Sequence, residues 1–205
     1  MTVRAIVRAG DPLLARVAAP VADPAADAVV RLVGDMLDTL DVAQVAGIAA
    51  PQVGVSQRVV VYFVPPHRVS GEPGDEPIGM TVLVNPELHP VGEDTVTDWE
   101  GCLSLPNLRG RVPRWRRIRL VSFDLDGRRR ERLLGGTHAR IVQHECDHLD
   151  GRLYPSRMSD GASLGFVDEL EAAGVLPARV PVRPKDYLKG EAALLARLAR
   201  AGVNV

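Results

Sequence analysis

The chain lacks any imbalance of charge. Its 25 Lys and Arg against 26 Asp and Glu leave a formal net charge of −1, which gives no global reason to expect DNA or an anionic membrane as a partner. It has no run of 18 apolar residues, so no segment is long enough to cross a bilayer as a helix. Its opening residues, MTVRAIVRAGDPLL, have neither the apolar stretch nor the cleavage site of a secretory signal, and a cytoplasmic location is the expectation. Cysteine is scarce: Cys102 and Cys146 stand alone, and a sparse pair in such a chain reads as reduced thiols rather than a disulfide. Lysine is nearly missing, with only Lys185 and Lys189 against 23 Arg; arginine is the better residue for planar, bidentate pairing. What is present is an ordinary soluble composition, 46% apolar and 25% charged over 205 residues. That suffices for one domain, or at most two small ones, with a core that needs no disulfide.

The hydrophobic pattern predicts a helix from Asp23 to Val42, with Asp23 as cap, Pro24 in the first turn, and Val29, Leu32, Val33, Met36, Leu37 and Leu40 on one face. Arg58–Val64 is β-branched and aromatic and reads as a strand. Residues 65–77 hold four Pro and two Gly and read as loop. Thr81–Asn85 reads as a short strand ended by Asn-Pro, with another over 88–98. Arg117–Phe123 and Arg130–Leu134 alternate around Asp126-Gly127, the pattern of a hairpin. His138–Leu149 reads as a helix stopped at Asp150-Gly151. Ser163–Ala173 and Asp186–Ala201 are further helices, and LPARVPVRP between them is extended because its prolines forbid regular structure. The order predicts an α+β fold with a largely antiparallel sheet.

The strongest chemical signal is His144-Glu145-Cys146-Asp147-His148. Two His at i and i+4 lie about 40° apart around a helix, so both rings reach one metal ion, and the Glu beside the first can take a proton from water held there. Two ligands do not complete a site. A third His is absent, because its place after Gly151 is taken by Tyr154. Glu169 and Glu171 downstream are candidates, and so is Cys102 within Glu100-Gly101-Cys102-Leu103-Ser104, since a thiolate suits zinc or iron(II). Cys146 falls about 200° from His144 and should pack away from the metal, and His138, about 240° away, is no ligand. His67 and His89 read as solvated. Glu100 is expected to pair with Arg114. Asp147 either orients a ligand or pairs with an arginine.

Taken in order, GIAAPQ (47–52), EGCLS (100–104) and QHECDHLDG (143–151) resemble the three motifs of the peptide deformylase family. Gly10-Asp11-Pro12-Leu13-Leu14, Val112-Pro113-Arg114 and Ala139-Arg140 resemble stretches around them, and the likeness covers residues 4–158. It implies an α+β fold of mixed, largely antiparallel sheets around the motif helix. The implied activity is removal of formyl from newly made N-formylmethionyl chains. It implies Cys102, His144 and His148 as ligands of one divalent metal ion, iron(II) in the family, with zinc, nickel or cobalt suiting the same donors. Glu145 would be the general acid/base, and Gln52 with the Leu103 N–H would stabilise the oxyanion. Ala46, Gly47, Ile48, Gly101, Arg109 and Ile141 would line the substrate groove. The first motif departs from the family pattern at Val45-Ala46-Gly47, which is read as a widened pocket. A metallopeptidase using the same helix, or a silent metal-binding relative, are the competing readings. Residues 1–158 are expected to form the catalytic domain and 159–205 a docked helical extension. The ten Arg between Arg109 and Arg132 suggest a transient contact with ribosomal RNA near emerging chains.

Overall fold

In the computed structural model, which describes residues 2–176 and 180–204, two antiparallel sheets enclose one helix. The first helix, α1 (Asp27–Ala43), buries Val29, Leu32, Val33, Met36, Leu37 and Leu40 as its spacing requires. It starts later than expected. Asp23 caps a separate turn, accepting from the Ala25 N–H at 2.9 Å, and Ala26 is extended before the helix begins. The strands β1 (Gly47–Ala49) and β2 (Val59–Val64) follow. Every residue of β2 is buried, because helices cover the sheet on both sides; this is why its sequence is continuously apolar rather than alternating.

The third strand, β3 (Ile78–Pro90), corrects the expectation that Asn85-Pro86 ends it. Asn85 adopts φ +50°, the pairing shifts between Val84 and Glu87, and the strand leaves β2 to pair onward with β6. The Asn85 amide closes two hydrogen bonds on the Val21 main chain, both at 2.8 Å. A bulge with an anchored side chain thus replaces the stop. The strand expected over 88–98 is the end of β3, a turn, and the start of β4 (Thr95–Cys102). β5 (Leu105–Trp115) was hidden by Pro106, Gly110 and Pro113; it pairs with β4 in a long hairpin. β6 (Arg117–Phe123) and β7 (Arg129–Gly135) form the expected hairpin. The main sheet runs β1-β2-β3-β6-β7.

The central helix is α2 (Gly136–Leu149). Its N-terminus is capped from the 65–77 loop: the Asp75 carboxylate accepts from the Thr137 and His138 N–H groups at 3.1 and 2.9 Å. Ala139, Val142, Cys146 and Leu149 face the main sheet, and the opposite side faces the β4–β5 hairpin. Gly151, at φ +69°, ends the helix where a Cβ would stand 2.8 Å from the Ala15 main chain.

Beyond residue 158 the helices are shorter than expected. β8 (Gly165–Phe166) pairs with β5, then come α3 (Val167–Ala172) and α4 (Ala192–Arg200). Part of the LPARVPVRP stretch, residues 177–179, lies outside the described residues. Val182, Leu188, Leu198 and Val203 enter the core against α1, and Tyr187 stacks on Phe63 with ring centroids 4.0 Å apart. Among the described residues no helix is long and apolar enough to cross a membrane.

His138 is buried and its Nε2 lies 2.9 Å from the Tyr62 hydroxyl. Burial, aided by the positive charge of Arg132, pushes its pKa down to about 4. The unfolded chain therefore binds a proton that the folded chain refuses, and stability present above about pH 6.5 is lost as pH falls toward 4. Thermal melts should show a larger drop from pH 7.5 to pH 5 for the wild type than for His138→Gln; equal drops would overturn this.

Candidate metal centre

Cys102 ends β4, and its sulfur faces α2 across the hairpin. The donor atoms of Cys102, His144 and His148 lie within 4.8 Å of one another, with Cys102 Sγ 3.3 Å from His148 Nε2. The two rings meet edge to face at 5.1 Å. One sulfur and two imidazole nitrogens converging in a nearly closed site suit a single divalent transition metal. Glu169 and Glu171 are exposed on α3 and outside this cluster. Tyr154, standing where a third His would fall, stacks on His144 at 6.3 Å and packs with Cys102 and Val112.

Charge behind the ligands is organised by Glu100. Its carboxylate accepts from Arg114 Nε and Nη2, both at 2.9 Å, from Arg140 at 2.8 Å and from His144 Nδ1 at 2.8 Å. Burial works to raise the Glu100 carboxyl, but the bonds from Arg114 and His144 outweigh it and hold the group far below the carboxylate range. With Nδ1 bound to Glu100, Nε2 of His144 is left for a metal. Arg114 also reaches Asp147 at 2.5 Å, and Arg157 holds the other side of that carboxylate. The expected Glu100–Arg114 pair is therefore present, and of the two roles open to Asp147 the arginine pairing is the one found. Arg157 and the Asp75 cap carried no signal of a role beforehand, and Arg140 only its place in a stretch of family likeness. Arg140 precedes His144 by four residues and so shares its helix face.

Glu145 is buried, and its Oε2 has no hydrogen-bond partner. Burial pushes its pKa up to about 7. Gln52 is buried in a short helical turn after β1. Its Oε1 accepts from the Ala49 N–H at 2.9 Å, which turns the NH2 toward Cys102 Sγ at 3.3 Å. The Leu103 N–H meets no backbone carbonyl among the described residues. The Arg109 guanidinium lies over Gly101, where a side chain would stand. Ile141 is half-buried at the junction of the two cores.

Two of the expected groove residues are buried. Ala46 and Ile48 are buried in the α1-side core, 6% and 0% exposed. Alternation along β1 sends them there and leaves Gly47 facing α2. Ala46 packs in the same cluster as Ile141 and Leu103, and enlarging it would crowd that cluster. Cys146 is buried against the main sheet, its thiol pKa raised by burial, as the helical geometry predicted.

A helix bearing His-Glu-x-x-His, joined by a cysteine sulfur from a facing hairpin, points to the class of metal-dependent hydrolases. The family description Polypeptide deformylase matches residues 3–163. Peptide deformylase 1 of Prochlorococcus marinus (strain MIT 9313) is 46% identical over 178 residues, 86% of this chain and 91% of that protein. A Met-Ala-Ser-bound class I type b peptide deformylase from Acinetobacter baumannii superposes with TM-score 0.69 at 34% identity, covering 77% of this chain and all of that one. The deformylase of Thermotoga maritima gives 0.67 at 33%, over 78% of this chain and 99% of its own. The chain belongs to the polypeptide deformylase family, whose enzymes hydrolyse the N-formyl group of new polypeptides, and this is its activity.

Arg114→Met leaves Glu100 and Asp147 buried without their shared cation, at a cost of about 3–5 kcal/mol. Lower melting and a reduced metal-to-protein ratio are expected together; unchanged values would show that the pair does not support the site.

Proposed function

We propose that Cys102, His144 and His148 hold the metal and that Glu145 is the general acid/base of deformylation. The observation that carries this is the buried Glu145 carboxylate, with an unpartnered oxygen, beside three converging soft and borderline donors. When bound, a divalent cation there supplies Lewis acidity, acidifying water and polarising a carbonyl. Glu145, with a pKa near 7, accepts the proton of the attacking water and returns it to the departing amine. Water adds to the formyl carbon, the C–N bond breaks, and formate and a free N-terminus leave. The Gln52 amide and the Leu103 N–H face the oxygen on which negative charge develops, and one such donor is worth ~3 kcal/mol. Cys102 and the two histidines suit iron(II), as well as zinc, nickel or cobalt.

Substrate enters along β1, an edge strand of the main sheet. The Ala46 C=O accepts from the Phe63 N–H, so Ala46 and Ile48 turn their main chain toward β2, and Gly47 turns its N–H and C=O to the open edge. A short extended peptide pairs there, as the Met-Ala-Ser ligand of the Acinetobacter baumannii enzyme suggests in length. Gly101, Arg109 and Ile141 border that path. Residues 1–158 act as the catalytic unit and 159–205 as an extension packed on it. The enzyme works in the cytoplasm on nascent chains.

Formate release from formyl-Met-Ala tests the reading. Glu145→Gln should lose about 10³-fold in kcat while keeping its metal. Retained activity would overturn the assignment, and cleavage of an internal peptide bond would favour the metallopeptidase. Exposed Arg117, Arg128, Arg129, Arg130 and Arg132 on the β6–β7 hairpin suit a ribosomal RNA contact. Salt-sensitive cosedimentation with ribosomes, weakened by Arg128→Ala with Arg132→Ala, is expected; none at low salt would remove the contact.

A further inference from the structure

Gly47 stands inside a strand, where glycine is disfavoured, and its φ lies outside the left-handed region, so backbone conformation does not explain it. The explanation is spatial. A Cβ at Gly47 would lie 2.5 Å from Glu145 Oε1, 2.9 Å from Cδ and 3.1 Å from Cγ, well inside van der Waals contact. The missing side chain is thus the room in which the Glu145 carboxylate sits. Oε2 of the same carboxylate is buried with no hydrogen-bond partner among the described residues. The two neighbouring carboxylates are tied: Glu100 by two arginines and a histidine, Asp147 by two arginines. Of the three buried carboxylates described here, Glu145 is the one whose oxygen meets the Gly47 main chain instead of an arginine.

We propose that Gly47 is the positioning residue of the general acid/base: its bare Cα forms a shelf that sets the carboxylate at reacting distance while leaving its lone pairs free for the proton. This rests on Glu145 being the acid/base. A hydrogen-bonding partner would hold the carboxylate as firmly but would occupy the same lone pairs. A steric shelf fixes direction without occupying them. The same residue offers its main chain to the substrate edge, so one position registers substrate and carboxylate against each other.

The test is a cycle between the two positions, read in formyl-Met-Ala kinetics, metal content and thermal melting. Gly47→Ala should lower kcat about 100-fold, the scale of an ångström of misplacement, with KM changed by less than about threefold because the main chain is kept. Adding Glu145→Gln to Gly47→Ala should cost far less than it costs alone, since the carboxylate is already displaced. In melting, Gly47→Ala should destabilise, and adding Glu145→Ala should recover most of the loss because it removes the obstructing atoms. This rescue can be read even if Gly47→Ala folds poorly or is inactive. Unchanged kcat in Gly47→Ala, kinetic losses that multiply independently, or a melting loss that Glu145→Ala does not rescue would each overturn the shelf. Full activity in Glu145→Gln alone would instead overturn the acid/base assignment on which it rests.

Discussion

The Glu100 carboxylate is the interaction on which the centre depends. It joins two elements: the β4–β5 hairpin, which carries Cys102, and α2, which carries both histidines. Arg114 binds it from the hairpin's own second strand, while Arg140 and His144 bind it from the helix. Arg140 also donates to the Val96 and Val112 carbonyls, one on each strand of the hairpin. A buried carboxylate would be costly alone; with three cationic or donor partners its desolvation is offset and its geometry is fixed. The Cys102 sulfur and the two imidazoles converge because this charge network fixes the hairpin against the helix.

The helix α2 then has two faces with different tasks. One is apolar and keyed into the main sheet through Ala139, Val142, Cys146 and Leu149. The other is charged and keyed into the hairpin through Arg140, His144, Asp147 and His148. Periodicity near 3.6 separates the two sets along one short sequence. This is why adjacent residues such as Glu145 and Cys146 share burial yet differ wholly in chemistry: burial raises the pKa of both, but only Glu145 points into the space beside the metal donors.

Much of this was legible in the residues. The α1 stripe, the β6–β7 hairpin and the C-terminal end of α2 follow from periodicity and turn chemistry. The His-Glu-x-x-His spacing pointed to a metal, but the choice among Cys102, Glu169 and Glu171 rested on family resemblance, since nothing local separates them. What stayed hidden depended on distant contacts. The bulge at Asn85 is held by the main chain of Val21, so Asn-Pro looked like a stop. The prolines of β5 are tolerated in a hairpin that sequence alone could not pair. The Asp75 cap comes from a loop 60 residues before the helix it serves. The inward turn of Ala46 and Ile48 follows from the pairing of β1 with β2, which three residues cannot announce.

The placement of the tail has a consequence for the order in which the molecule is completed. A chain is made from its N-terminus, and structure can form as soon as all its parts exist. The layer between α2 and the main sheet has every member by Leu149. The three candidate metal donors are present by His148. The layer over α1 waits for Val182, Leu188, Leu198 and Val203. The half of the molecule that holds the chemistry can therefore close first, and the half that only supports it is sealed last.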